Sequence, residues 1–136
     1  TGFLIFGVLS SEQPNTLLTN LSKKKSAKIS MEVADSDFSR MRGLMFRKKV
    51  IPILFIFDSE NIYSIHSRFV PAPFDAFWLS PDGTVVDVIR RIPPNQTIIR
   101  PAAKALYLLE LPPEITDLLQ IEAGDSLEWK NITGKM

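Results

Sequence analysis

Histidine is the side chain that ordinarily titrates near neutrality, and this sequence has one, His66, and no cysteine. Thiolate nucleophiles, thiolate metal sites, disulfides and any site needing two histidines are therefore excluded, and neither a metal nor a cofactor is expected. Acid–base chemistry would need His66 oriented by a carboxylate. The two carboxylates set in apolar surroundings are Asp75, within Phe74-Asp75-Ala76-Phe77-Trp78, and Glu110, within Leu108-Leu109-Glu110-Leu111. A buried carboxylate either finds a cationic or backbone donor or stays unpaired with a raised pKa, the condition of a general base. Arg42, Arg47 and Arg68 are the candidate partners. Arg42 stands before Gly43, where a helix is expected to end. A guanidinium there either clamps an anionic ligand or ties the helix to Asp75 or Glu110; the buried ion pair is the expected reading. The stretch Arg68-Phe69-Val70-Pro71-Ala72-Pro73 joins a cation and an aromatic on a loop. Loops of this kind hold ligands on rigid scaffolds, and an apolar plug closing the end of the fold is the structural alternative. The expected ligand-binding set is Arg42, His66, Arg68, Phe69 and Asp75. His66 with Asp75 or Glu110 is the catalytic alternative. No glycine-rich nucleotide loop and no Gly-x-Ser-x-Gly elbow is present, which removes support for nucleotide binding and serine hydrolysis.

The elements that must position these residues read mostly as strands. Lys28-Ile29-Ser30-Met31-Glu32-Val33-Ala34 alternates with period two. Acidic and hydroxyl residues after Ala34 and the stop at Gly43 predict a short helix over 36–42, with Phe38, Met41 and Arg42 on one side. The apolar run 52–57 predicts a buried strand, and Ile62 to Ser67 the next one. Strands over 74–80 and 84–89 flank Pro81-Asp82-Gly83, a turn sequence that predicts a β-hairpin. A strand over 104–111 is followed by Pro112-Pro113, with Pro113 opening a helix to about Leu119. Gly124-Asp125 turns into a last strand, 126–131. Many short strands with two short helices predict a mainly β fold, an antiparallel β-sandwich or partly open barrel.

The 136 residues make one domain, and 45% apolar against 23% charged residues is a globular balance. Sixteen basic and fifteen acidic side chains leave a net charge of +1, without the basic excess of a nucleic-acid binder. The apolar run from Phe3 to Leu9 is too short to span a bilayer. It reads as the tail of an export or anchor segment, a foreign remnant, or an edge strand. Residues 10–27, rich in Ser, Thr and Asn and holding Lys23-Lys24-Lys25, read as a polar linker. The expected division is thus 1–27, stub and linker, and 28–136, a single β-rich domain, with residues 1–25 packing little against it. Asn20-Leu21-Ser22, Asn95-Gln96-Thr97 and Asn131-Ile132-Thr133 would be surface glycan acceptors in an exported chain.

Four blocks resemble a known family. They are Arg42-Gly43-Leu44-Met45-Phe46-Arg47; Ile65-His66-Ser67 with Pro73-Phe74-Asp75, Phe77-Trp78-Leu79 and Asp82-Gly83-Thr84-Val85-Val86; Leu108-Leu109-Glu110-Leu111-Pro112; and Gly124-Asp125. In this order they resemble the bacterial and archaeal family known as domain of unknown function 192, in its archaeal form, over about 28–130. Where the family usually has Ala-Gly after its Leu-Glu-Leu-Pro, this chain has Pro113-Glu114. The resemblance implies a compact, mainly β fold, often behind an export or anchor segment, and brings no activity with it. The expectation is a non-catalytic module binding a small molecule or a protein, monomeric, without nucleic acid. Membrane contact is expected only through an N-terminal anchor. Its expected place is outside the cytoplasm or anchored to the membrane, with the cytoplasm as the alternative.

Overall fold

The computed structural model describes residues 4–6 and 13–134. Among the described residues, nine strands form two sheets. The four-stranded sheet runs in the order β1 (Leu4–Phe6), β3 (Lys25–Ile29), β2 (Thr16–Asn20), β9 (Leu127–Asn131). The five-stranded sheet runs β4 (Glu32–Ala34), β5 (Ile53–Asn61), β8 (Ala105–Leu111), β6 (Phe74–Leu79), β7 (Val85–Ile92). Pairing is antiparallel except β1 with β3 and β4 with β5. The fold is a mainly β sandwich of two sheets rather than a closed barrel, with helices α1 (Asp37–Arg42) and α2 (Pro113–Leu119).

The five-stranded sheet is covered on both faces, as strand periodicity allows. On one face Leu54, Phe77, Leu109 and Leu111 pack against Leu18, Ala27, Ile29 and Leu127 of the other sheet, and against Ile115 and Leu119 of α2. On the opposite face Ile53, Phe55, Phe74, Ala76, Trp78 and Leu108 pack under Leu44, Val70 and Ile99 from the segments that follow α1, precede β6 and precede β8.

The hairpin at Pro81-Asp82-Gly83 forms as expected. Ser80 N–H donates to Thr84 O at 2.9 Å, and Asp82 Oδ1 accepts from Thr84 N at 3.1 Å and from the Ser80 hydroxyl. Gly83 has φ +87°, and a Cβ there would stand 2.5 Å from Leu127 O. Only glycine allows this turn to dock on β9, where Leu127 N–H donates to Gly83 O.

Three expectations need correction. Of residues 10–27, read as a linker, the described part is not one: β2 and β3 make an antiparallel hairpin, and β2 lies between β3 and β9, while 10–12 lie outside the described residues. Leu18 and Ala27 are fully buried, so the segment is sheet core. The polar residues that suggested a linker are used inside it. Thr19 and Ser26 hydroxyls share a hydrogen bond of 2.7 Å, and the Asn20 amide donates to Leu119 O and Asp125. Consequently Asn20 is no surface glycan acceptor, whereas Asn95 and Asn131 are exposed. Second, the strand read over 28–34 is broken at Ser30, with 25–29 and 32–34 belonging to different sheets. Third, residues 62–67 are not a strand. Ile65 alone bridges to Ile99, while Tyr63 O accepts from Trp78 Nε1 at 2.9 Å and Ser67 bonds to residues 93, 95 and 96. Their polar groups are satisfied by loops and a side chain instead of a ladder.

Of the apolar run 3–9, the backbone of residues 4–6 forms edge strand β1 and the rest lies outside the described residues. Among the described residues no helix is long and apolar enough to cross a membrane.

Candidate functional site

Helix α1 is short, and its position is fixed from both ends. Ser36 caps it, with Ser39 N–H donating to Ser36 Oγ at 3.1 Å and Ser36 N–H to Ser39 Oγ at 3.0 Å. Arg40 reaches back to Ile56 O on β5 at 2.8 Å and to Asp37 at 2.9 Å. Gly43 ends the helix at φ +46°, ψ −128°, a conformation for glycine. A Cβ there would stand 3.1 Å from Phe55 Cζ and 3.9 Å from Glu110 Oε1. The chain after α1 is then clamped by Arg47. Its Nε donates to Gly43 O at 3.1 Å, and its two terminal nitrogens grip both oxygens of Glu32 at 2.6 and 2.7 Å.

Between this clamp, the segment 62–70 and the outer face of β5 and β8 lies a cleft of about 280 Å³. Phe55, Phe57, Val70 and Phe74 form apolar walls, and Tyr63 stacks on Phe57 with ring centroids 3.6 Å apart. Arg42, His66 and Glu110 all open onto it. Glu110 is the unusual one. It is 4% exposed, and among the described residues no hydrogen bond or ion pair reaches its carboxylate. Across the ladder its neighbours are Ile53 on β5 and Ala76 on β6. Burial among such neighbours pushes its carboxyl up to about 8. Arg42 is exposed and, among the described residues, makes no ion pair; it contributes only the smallest share to lowering the Glu32 carboxyl, after Arg47. His66 is exposed, and its Nδ1 accepts from Arg68 N–H at 3.1 Å.

The structure divides the sequence-derived candidates. Asp75 is fully buried on the other face of the sheet, opposite Leu111. Its Oδ1 accepts from Arg91 N–H at 2.7 Å and its Oδ2 from Arg90 Nε at 2.9 Å. Arg90 continues to Asp117 on α2 at 2.8 Å. The β6–β7 register places one extra β7 residue between Phe74↔Ile92 and Ala76↔Ile89, and Asp75 satisfies the N–H that this bulge frees. The expected pairing of Arg42 with Asp75 or Glu110 is therefore wrong. Arg90 takes Asp75, Glu110 has no cation, and the bidentate clamp belongs to Arg47. Asp75 cannot orient His66, being on the wrong side of the sheet, and no hydrogen bond joins His66 to Glu110. Arg68 is exposed. Phe69 is neither a plug nor a cleft wall; it is 59% exposed and stacks on Phe46 at 4.7 Å. Both phenylalanines are in the left-handed region, held by Phe46 N–H donating to Phe69 O at 2.8 Å.

Sequence reasoning missed Phe55, Phe57 and Tyr63 as cleft walls and Arg90 as the cation that holds Asp75; Arg47, named as a candidate partner for a buried carboxylate, grips Glu32 instead. Phe55 and Phe57 had a signal: with Ile53 they alternate with Leu54 and Ile56 in a strand-like run, which puts both on one face. The Gly124-Asp125 block also has a structural account. Asp125 accepts from Asn20 at 2.9 Å, Lys23 at 3.0 Å and Glu122 N–H at 2.9 Å. Desolvation pushes its carboxyl up, but these donors outweigh it and hold it below the usual range.

Residues 19–129 match the model of the DUF192 family, described as "Uncharacterized ACR". The chain belongs to this family. A UPF0127 protein of Pyrococcus furiosus is 32% identical over 117 residues, 85% of this chain and 99% of the relative. One from Pyrococcus horikoshii is 33% identical over 115 residues, 83% of this chain and 98% of the relative. Two crystal structures share the fold. A provisionally assigned transcription regulator of Sinorhizobium meliloti aligns with TM-score 0.74 at 24% identity, over 89% of this chain and 96% of that one. A protein of unknown function from Novosphingobium aromaticivorans aligns with TM-score 0.71 at 23% identity, over 85% of this chain and 84% of that one. At these identities the likeness concerns the fold alone.

Proposed function

We propose that this DUF192 protein is a non-catalytic binding module that takes a small ligand into the cleft between α1 and segment 62–70. The observation that supports this most is Glu110, a largely buried carboxylate in the lining of an apolar cleft, with no hydrogen bond or ion pair among the described residues. Its oxygens are not sealed in, since the fully buried side-chain atom without a partner among the described residues is Thr116 Oγ1, so a ligand in the cleft can reach them and supply the missing partner. The cleft is near the lower size limit of ligand pockets, and its mix of apolar wall with few polar groups is typical of them. Catalysis has less support, because His66 lacks a carboxylate orienter and Asp75 is held by Arg90 and Arg91 behind the sheet.

A thermal-shift screen of the whole chain against amines, carboxylates, sugars and metal ions tests the reading. A ligand at about a hundred times its Kd adds about 2.7 kcal/mol of stability. The expected hit shifts the melting temperature saturably, and Ser64→Trp, which obstructs the cleft wall, abolishes the shift. A screen without hits, or hits indifferent to Ser64→Trp, refutes the proposal.

A further inference from the structure

We propose that the ligand of this cleft carries a primary ammonium group on an apolar body, with the ammonium seated against the Glu110 carboxylate. This rests on the cleft being a binding site, as proposed above, and names the chemistry it selects.

Three features of the cleft point to a cation. The first is an uncompensated carboxylate. Glu110 has apolar ladder neighbours on both sides and, among the described residues, no donor. A desolvated carboxylate is satisfied best by a charged donor. The second is that the nearby arginines are withheld. Arg40 is occupied by Ile56 O and Asp37, and Arg47 by Glu32 and Gly43 O. Arg42 stays exposed at the rim. Gly43 meanwhile adds no side chain of its own beside Glu110 Oε1, where the Phe55 ring is the nearest group. The third is the wall. Phe55, Phe57 with its stacked Tyr63, and Phe74 line the same cleft. Aromatic faces attract an ammonium and the apolar chain behind it, and Met41 and Met45 supply adaptable, polarizable lining. A carboxylate ligand, by contrast, would meet Arg40 with its donors already engaged by Ile56 O and Asp37, and Arg42 in an exposed position.

The titration of Glu110 makes the idea measurable. The charged and titratable groups facing it are Arg40 and Arg42 from α1 and Tyr63 and His66 from segment 62–67. The adjacent strands present Ile53 and Ala76, and beyond Ile53 stands Glu32, gripped by Arg47. Burial holds Glu110 largely protonated at neutral pH. An arriving ammonium keeps its own protons, the carboxyl gives its proton to solvent, and an ion pair forms. Binding at pH 7 therefore releases close to one proton per site, and affinity rises about tenfold per pH unit from about 6 to 7, levelling above about 8.

Calorimetry of the whole chain with n-pentylammonium, pentanol and pentanoate, in buffers of differing ionisation enthalpy, tests this. The expected result is saturable binding of n-pentylammonium with proton release, and weaker or no binding of pentanol and pentanoate. Glu110→Gln should weaken the amine by at least about tenfold and abolish the proton release. Phe57→Leu, which keeps the carboxylate, should weaken it several-fold. Binding of pentanoate in preference to the amine overturns the inference and leaves the cleft as a binding site. So does amine binding that releases no proton or survives Glu110→Gln. If none of the three binds, the inference falls; if the broader screen is empty as well, the binding module falls with it.

Discussion

Replacing Glu110 by glutamine tests the central feature of the site without any ligand. Glutamine keeps the shape of the side chain and removes its charge. An ordinary glutamate carboxyl titrates near 4.5, and burial raises that of Glu110 to about 8. Between these values the folded chain holds a proton that the unfolded chain has released. Raising the pH through this window therefore favours unfolding, and stability falls until the folded carboxyl has itself ionised. At about 1.4 kcal/mol per tenfold change in proton affinity, the whole window is worth between about 4 and 5 kcal/mol. Some 3 kcal/mol of this is already lost at pH 7 on the same scale. Total stabilities of single domains run from about 5 to 15 kcal/mol, so the effect is large enough to dominate the pH profile. Urea titrations of wild type and Glu110→Gln at pH 5, 7 and 9 measure it. Wild type should weaken steadily with pH. The glutamine variant should match it near pH 5 and exceed it by several kcal/mol at pH 9. Parallel profiles, or a variant destabilised equally at every pH, would show that Glu110 has a structural partner and refute the reasoning.

Other substitutions separate structural from free cations. Arg42→Ala should change stability by no more than about 0.5 kcal/mol in denaturant titrations, whereas Arg47→Ala, which breaks the clamp on Glu32 and Gly43 O, should cost about 1–2 kcal/mol. Arg90→Ala strands the buried Asp75 carboxylate and should cost about 3 kcal/mol, at the low end for a broken buried pair because Arg90 is 38% exposed. Leu18→Ala should cost about 2–5 kcal/mol as a core truncation, and a change under about 1 kcal/mol would show that the β2–β3 hairpin is dispensable.

Local turn chemistry and alternation made most of the elements legible. Pro81-Asp82-Gly83, Ser36 before a short helix stopped by Gly43, and Pro113 at the start of α2 each determine their own geometry within a few residues. The failures came where a residue's role depends on distant partners. Thr19, Asn20 and Ser26 have a linker's composition, but Thr19 and Ser26 bond across the β2–β3 hairpin and Asn20 bonds to Leu119 and Asp125, distant partners that only the folded sandwich brings near. Residues 62–67 have the composition of a strand, yet Trp78 and the loop over 93–99 take up their polar groups. The site was half legible. His66, Arg42 and Glu110 were named from residue type and do share the cleft. Which arginine meets which carboxylate was not legible, because tertiary contacts rather than spacing along the chain bring Arg90 to Asp75 and Arg47 to Glu32.

Strand parity explains why one buried carboxylate is paired across the sheet and the other opens onto the cleft. On β6, Asp75 shares a face with Phe77 and Leu79, the face turned to α2 and the second sheet. There the bulge in β7 offers a free N–H and Arg90 reaches across. On β8, Glu110 shares a face with Leu108, and its ladder partner Ala76 is the neighbour of Asp75 in sequence. The two carboxylates thus occupy adjacent rows of one sheet and point to opposite sides. Because the side-chain period in a strand is two, a one-residue slip of β8 would carry Glu110 to the α2 face and Leu111 into the cleft. The register seen here is fixed by burial of Leu109 and Leu111 against α2 and the second sheet. An apolar core on one side of the sheet therefore holds an unpaired acid in the cleft on the other. That cost is tolerated because the buried acid can stay protonated.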